Sequence, residues 1–174
     1  MEEITSVLFV CVHNSARSQM AEEFLKKFGG NRFAVMSGGL EAGTLNPLAV
    51  EVMREEGIDI STNKVKSVFE YYKNRMIFDY VITVCDGAHA EKCPIFLGTN
   101  KRIHWGFEDP STVKGTLEEK LVAVRDIRDE IKNSVKAFVK SSTSPHKNLY
   151  IFKQDLTDQA YSPVHSEKGN EISL

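Results

Sequence analysis

The sequence predicts an α/β fold: a four-stranded parallel sheet flanked by helices on both faces. Two observations predict it. Apolar, β-branched runs of strand length alternate with segments of helical periodicity, the order that builds a parallel sheet with covered faces. A length of 174 residues suits one well-buried core rather than two domains and a linker.

The elements follow in chain order. Residues 6–11, SVLFVC, read as a buried strand, and residues 19–28 as a helix with Met20, Phe24 and Leu25 at helical spacing before Gly29 and Gly30 stop it. A second strand spans 32–36 and runs into SGGLEAG. Asn46-Pro47 then opens a helix, LAVEVMREE, that Gly57 closes. Residues 78–85, FDYVITVC, form the third expected strand and 102–105 a short fourth. Between 116 and 139, Leu117, Leu121, Val124, Ile127, Ile131, Val135 and Phe138 repeat on one face of a long amphipathic helix. Past Lys140 the periodicity ends in SSTSPHKN and a polar stretch. The expected organisation is a domain over 1–140 and a flexible or loosely docked tail over 141–174, where only Leu149, Tyr150, Ile151 and Phe152 suggest a packed strand.

With 41% hydrophobic and 26% charged residues and a formal net charge of -2, the chain lacks the bulk positive charge of a nucleic-acid surface, so any anion site must be local. The start, MEEITSVLFVCV, is acidic and too short in its apolar run for a signal peptide, and no stretch nears the roughly 20 apolar residues of a spanning helix. The expectation is a cytoplasmic protein with neither membrane nor nucleic acid as partner. Its three cysteines are then candidates for reactivity, metal binding or burial rather than a disulfide framework.

The chemistry concentrates in CVHNSARS, residues 11–18. A strand-loop-helix unit in a parallel sheet aims its loop amides and helix N-terminus at whatever binds there, and this suits an oxyanion. Cys11 opens the loop and Arg17 closes it. The intervening Val12, His13, Asn14, Ser15 and Ala16 let backbone amides ring a tetrahedral anion while the guanidinium makes bidentate bonds to it. Ser18 is a plausible helix N-cap and a hydrogen-bond partner for the thiolate. Asn14 and Ser15 are expected to brace the loop through their side chains, and His13 either tunes the anion site or faces solvent. A cysteine at a helix N-terminus beside an arginine has its pKa lowered from about 8.5, so Cys11 is expected to be a nucleophilic thiolate.

C-x5-R-S directly after the first strand resembles the low-molecular-weight protein tyrosine phosphatase superfamily, and HNSARSQMAE resembles its thioredoxin-coupled arsenate reductase branch. VMSGG, VCDGAHAEKCP and HWGFEDP extend the likeness over about residues 6–138. The resemblance implies a low-molecular-weight-phosphatase-like fold, conversion of arsenate to arsenite, thioredoxin as reductant, and no metal or other cofactor. It also implies that Asp109, in HWGFEDP, is the general acid that protonates the leaving oxygen, a role worth roughly 10²- to 10⁴-fold.

Cys85 ends the third expected strand and so opens onto the same sheet edge as Cys11. Cys93 follows eight residues later; a helix of that length would separate the two α-carbons by roughly 12 Å, beyond the ~7 Å limit for a disulfide, so the segment must loop or refold to oxidise. With the resemblance, this implies a relay in which Cys11 attacks arsenate, Cys85 attacks Cys11, and Cys93 attacks Cys85 to leave a Cys85-Cys93 disulfide for thioredoxin. Cys11, Arg17, Cys85, Cys93 and Asp109 are then the catalytic residues. Some relatives hold a potassium ion with residues corresponding to Asn14, Glu22, Ser37 and two positions that fall here at Lys64 and Lys66. An ammonium in the ion's place implies activity independent of potassium.

Two other readings compete. The same cradle, nucleophile and acid would hydrolyse a phosphomonoester, although Ser111 and Thr112 follow Pro110 where the phosphatase branch has aromatic residues to grip a tyrosine ring. Alternatively, Cys85, His89 and Cys93 at i, i+4 and i+8 would share a helical face suited to zinc or arsenite. Trp105 and Phe107 read as packing residues.

Overall fold

The computed structural model describes residues 4–142, and of these residues 4–139 form one compact unit. The first strand, β1 (Thr5–Cys11), leads through a five-residue loop into α1 (Arg17–Gly29), and a short 3₁₀ turn leads on to β2 (Phe33–Gly39). Next come α2 (Pro47–Glu55), α3 (Val68–Lys73) and β3 (Tyr80–Thr83), then α4 (Gly87–Ala90) and β4 (Lys101–His104). A 3₁₀ turn, Pro110–Thr112, precedes α5 (Leu117–Ser142). The tail expected past residue 140, with its 149–152 cluster, lies outside the described residues except for the last residues of α5.

All four strands are parallel, in the order β2-β1-β3-β4. The chain steps from β1 to β2 on one side, then returns past β1 to add β3 and β4 on the other. The topological switch point therefore lies between β1 and β3, and open parallel sheets bind ligands at the carboxyl ends of strands at such a point. Val10 pairs with Thr83 and Cys11 with Gly39, so the thiol stands at that end.

Strand periodicity splits β1 between two cores. Val7, Phe9 and Cys11 face a cluster filled by Phe24 and Leu25 of α1, Val52 and Met53 of α2, and Ile127, Ile131 and Val135 of α5. Leu8 and Val10 face a smaller cluster of Val68, Phe78, Val81, Cys93 and Phe96. Helices cover both faces as expected, but unevenly: α3, absent from the sequence reading, and the turn at Cys93 close the second face. Its two turns carry too short an apolar period to declare a helix, and the Ser67 side chain caps it by accepting the Phe69 N–H.

Several element ends differ from expectation for local reasons. Strand β2 continues to Gly39 because a Cβ there would lie 2.7 Å from the His13 carbonyl carbon, so glycine permits the close approach of β2 to the loop. Asn46 caps α2 as expected, and Gly57 follows it at φ +72. Strand β3 stops at Thr83, and Cys85 lies beyond its end although the Val84 N–H still donates to the Val10 carbonyl at 2.8 Å. At the start of α5, Leu117 is exposed rather than packed, because the helix meets the sheet only from Leu121 onward.

Candidate active site

The loop after β1 is held in shape by its carbonyls. Those of Cys11, Val12 and Ser15 accept backbone N–H bonds from Leu40 (3.1 Å), Glu41 (2.8 Å) and Asn46 (2.9 Å), and the Ala16 carbonyl accepts from Met20 at 2.9 Å. In a planar trans peptide the C=O and the following N–H point in opposite directions. Each carbonyl turned outward therefore turns the N–H of Val12, His13, Ala16 or Arg17 toward the inside of the loop. That is the ring of donors an oxyanion needs.

Cys11 Sγ accepts the Asn14 N–H at 3.1 Å and lies 2.8 Å from Ser18 Oγ. The Ser18 oxygen also accepts from Asn14 Nδ2 at 2.8 Å, which leaves its proton for the sulfur. Ser18 is not the N-cap, however. Arg17 is already helical, Ala16 occupies the cap position, and no side chain caps this end. The first turn of α1 is open to an anion because Ser18 is committed to the sulfur. Ser15 likewise supports the loop through its carbonyl rather than its side chain.

Arg17 is 4% exposed, and its guanidinium spans the site: Nη1 donates to the Phe107 carbonyl at 3.1 Å and Nη2 to Asp109 Oδ2 at 2.6 Å. The other Asp109 oxygen accepts from the N–H and hydroxyl of Ser111, both at 2.8 Å. Burial pushes the Asp109 carboxyl up, but the Ser111 bonds and the charges of Arg17 and His13 outweigh it and hold it below its ordinary value of 3.8. Trp105 and Phe107 pack as expected, with Trp105 against Phe9, Phe107 and Phe138. His13 lies half-buried on the wall of a cleft of about 390 Å³ with Ser15, Leu45, Pro47 and Ser111, its Nδ1 3.9 Å from the Glu41 carboxylate.

Behind the loop runs a buried polar chain. Asn14 Nδ2 donates to Ser37 Oγ at 2.8 Å, Ser37 donates to Glu22, and Glu22 receives the ammoniums of Lys26 at 2.7 Å and Lys66 at 3.0 Å. Burial pushes the Glu22 carboxyl up, but the bonds from Lys26 and Ser37 and the charge of Lys66 hold it below its ordinary range. Of the two lysines singled out in the sequence, Lys66 supplies the ammonium, whereas Lys64 supplies a carbonyl that Gln19 donates to. Sequence reasoning missed Gln19. It sits next to the apolar positions of α1, and a glutamine there reads as a solvated surface residue.

Cys85 shares the first core with Cys11, at the switch point. Burial and the charge of Cys11 push its thiol up to about 11, so at rest it is protonated. Cys93 is buried in the second core, on the other face of the sheet, where desolvation pushes its thiol up against the opposing charge of Arg102. The structure thus brings Cys11, Arg17, Ser18 and Asp109 together with Cys85 nearby, and leaves Cys93 apart. The helical face that would have joined Cys85, His89 and Cys93 does not form, because α4 spans only four residues and the His89 ring bonds the Asp86 carboxylate at 2.8 Å. Among the described residues, no group of three or more His, Cys, Asp or Glu side chains is arranged to hold a metal.

Known proteins resemble this chain in sequence and fold. The family model for low molecular weight phosphotyrosine protein phosphatases matches residues 6–148. An arsenate reductase of Bacillus subtilis is 44% identical over 135 residues, 78% of this chain and 95% of that protein. A solved arsenate reductase in its phosphate-binding state superposes with a TM-score of 0.64 at 31% identity, over 79% of this chain and 98% of that one. A thioredoxin-dependent arsenate reductase of Corynebacterium glutamicum gives 0.60 at 28% identity, over 80% of this chain and 62% of that one. The chain belongs to the low molecular weight phosphotyrosine protein phosphatase family.

Proposed function

We infer that this protein is an arsenate reductase, an enzyme that converts arsenate to arsenite with a dithiol as electron donor. One observation carries the reading beyond the family's hydrolytic chemistry: Cys85 stands buried and protonated at the switch point that Cys11 shares. A phosphatase has no use for it.

In the proposed sequence the Cys11 thiolate attacks arsenic of an arsenate held by the loop amides and Arg17. An As–S bond forms, and one oxygen leaves as water with a proton delivered through Asp109. Cys85 gives up its proton to an oxygen of the bound arsenic group and attacks Cys11 Sγ. The sulfur-sulfur bond forms, the As–S electron pair stays on arsenic, As(V) becomes As(III), and arsenite departs. Cys93 then attacks Cys85, Cys11 leaves as a thiolate, and the Cys85-Cys93 disulfide passes to a thioredoxin dithiol, which is oxidised in turn. The overall change is arsenate plus dithiol to arsenite, disulfide and water.

The Asp109-Arg17 pair gives the acid step a condition. In the free site Asp109 is ionised and occupies Arg17. An arriving oxyanion competes for the guanidinium, and with that charge withdrawn beside a new negative one the carboxyl takes up the proton it later delivers. Reduced thiols fit a reducing, cytoplasmic setting. Among the described residues no helix is long and apolar enough to cross a membrane.

The test is arsenate-dependent NADPH consumption with thioredoxin and its reductase. The unaltered protein turns over, and each single Cys→Ser variant abolishes sustained turnover. Turnover that survives Cys85→Ser would defeat the reading. Hydrolysis of an aryl phosphate is the second reading; it needs Cys11, Arg17 and Asp109 alone, and survives at a low rate when Cys85 or Cys93 is replaced.

A further inference from the structure

A fully buried glutamine must satisfy both ends of its amide. Gln19 on α1 is such a residue. Its Nε2 lies 3.2 Å from the Asn14 carbonyl oxygen, 3.1 Å from Asn14 Oδ1 and 3.0 Å from the Lys64 carbonyl oxygen. Three acceptors around one end identify that end as the NH₂ group. The other end, Oε1, accepts from Asn63 Nδ2 at 3.1 Å.

The residue it grips is unusual. Asn14 has φ +52, in the left-handed region that side-chain-bearing residues rarely adopt. That conformation turns the Asn14 N–H onto Cys11 Sγ at 3.1 Å. With its carbonyl turned out to Gln19, the next peptide sends the Ser15 N–H into the loop. The side chain is fixed as well: Oδ1 accepts the Lys66 N–H at 2.8 Å, so Nδ2 faces Ser18 and Ser37.

We propose that Gln19 is a positioning residue for the oxyanion loop: its amide holds Asn14 left-handed, so that the Asn14 N–H meets the nucleophilic sulfur and the Ser15 N–H faces the bound oxyanion. Its role rests on the loop holding an oxyanion, as the reductase reading requires. Gln19 touches neither substrate nor sulfur; it acts through Asn14. It also ties that residue to the 63–64 turn, next to Lys66, so Asn14 is clasped from α1 and from the turn together.

Titration of the full chain with inorganic phosphate tests this, alongside thermal unfolding. Gln19→Met keeps the volume and removes the amide; it is expected to weaken phosphate binding about tenfold, the scale of one lost buried hydrogen bond. Gln19→Glu keeps the shape but sets a carboxylate against three acceptors, and should weaken binding at least as much, which provides a second variant if Gln19→Met does not fold. Glycine adopts a positive φ unaided. In an Asn14→Gly background, adding Gln19→Met should therefore alter phosphate affinity by less than about twofold, a non-additivity that a merely structural glutamine would not produce. Equal losses in both backgrounds, or variants binding phosphate as the unaltered protein does, overturn the role of Gln19 and leave the reductase reading standing. Failure of the unaltered protein to bind phosphate removes the loop reading and the role of Gln19 with it.

Discussion

The Lys66 ammonium lies 3.0 Å from the Glu22 carboxylate, at the far end of a hydrogen-bond chain that runs through Ser37, Asn14 and Ser18 to the sulfur of Cys11. A positive charge is thus built into the support of the Cys11 loop. The carboxylate it faces is almost fully buried, and it takes a second ammonium from Lys26 at 2.7 Å.

Activity should accordingly not depend on potassium. Replacing sodium by potassium at constant ionic strength is expected to leave the steady-state rate unchanged, and a clear gain would refute the account of Lys66. Removing the ammonium should create the dependence. Lys66→Met leaves Glu22 with Lys26 alone, and is expected to lose a few-fold in kcat/KM and recover part of it in potassium, as Glu22 regains a second cation.

The Arg17-Asp109 pair predicts opposite effects on binding and chemistry. Asp109→Asn removes a competitor for Arg17 and a negative charge beside the anion, so phosphate should bind several-fold more tightly. The same change removes the acid, and kcat should fall roughly 10²- to 10⁴-fold. Titration with phosphate and single-turnover kinetics measure the two; a loss of both affinity and rate would contradict the pairing.

The same pair sets an acid limit to stability. Burial raises the Asp109 carboxyl, but Ser111, Arg17 and His13 together depress it below 3.8. A depressed folded value means stability that is present above the unfolded value and lost as pH falls through the folded one. Thermal unfolding below about pH 4 should therefore fall less steeply for Asp109→Asn than for the unaltered protein.

Cys85 predicts the alkaline counterpart. Burial, with the charge of Cys11, raises its thiol to about 11, so the folded chain keeps a proton that the unfolded chain releases near 9. Stability is then fully present below the unfolded value and lost as pH rises toward 11; Cys85→Ala should flatten that limb. In the reduced protein at neutral pH, mass mapping after iodoacetamide should show Cys11 labelled first and Cys85 and Cys93 protected.

Much of this was legible in the sequence because the signals are local. Strands β1 and β2, the Asn46-Pro47 start of α2, the apolar face of α5 and the C-x5-R-S loop each rest on a run of neighbouring residues. What escaped depends on tertiary contact. Gln19 looks like the solvated face of a helix, yet it is fully buried against Asn14 and the 63–64 turn. Cys85 and Cys93 are eight residues apart, but Cys85 packs in the cluster with Val7, Phe9 and Cys11 and Cys93 in the one with Leu8 and Val10, on the opposite face of the sheet. That division also sharpens the relay. Cys93 must leave Leu8, Val10, Val68, Phe78, Val81 and Phe96 to meet Cys85, so hydrogen exchange over residues 86–99 should rise when the disulfide forms while β1 stays protected.

The central claim is that Cys85 resolves the Cys11 adduct before Cys93 enters. It is tested most directly by giving Cys93→Ser a single turnover of arsenate, quenching in acid and mapping disulfides by mass spectrometry without reduction. The account predicts one equivalent of arsenite and a trapped Cys11-Cys85 disulfide. Arsenite released with Cys11 and Cys85 both still thiols, or no disulfide between them, would contradict it.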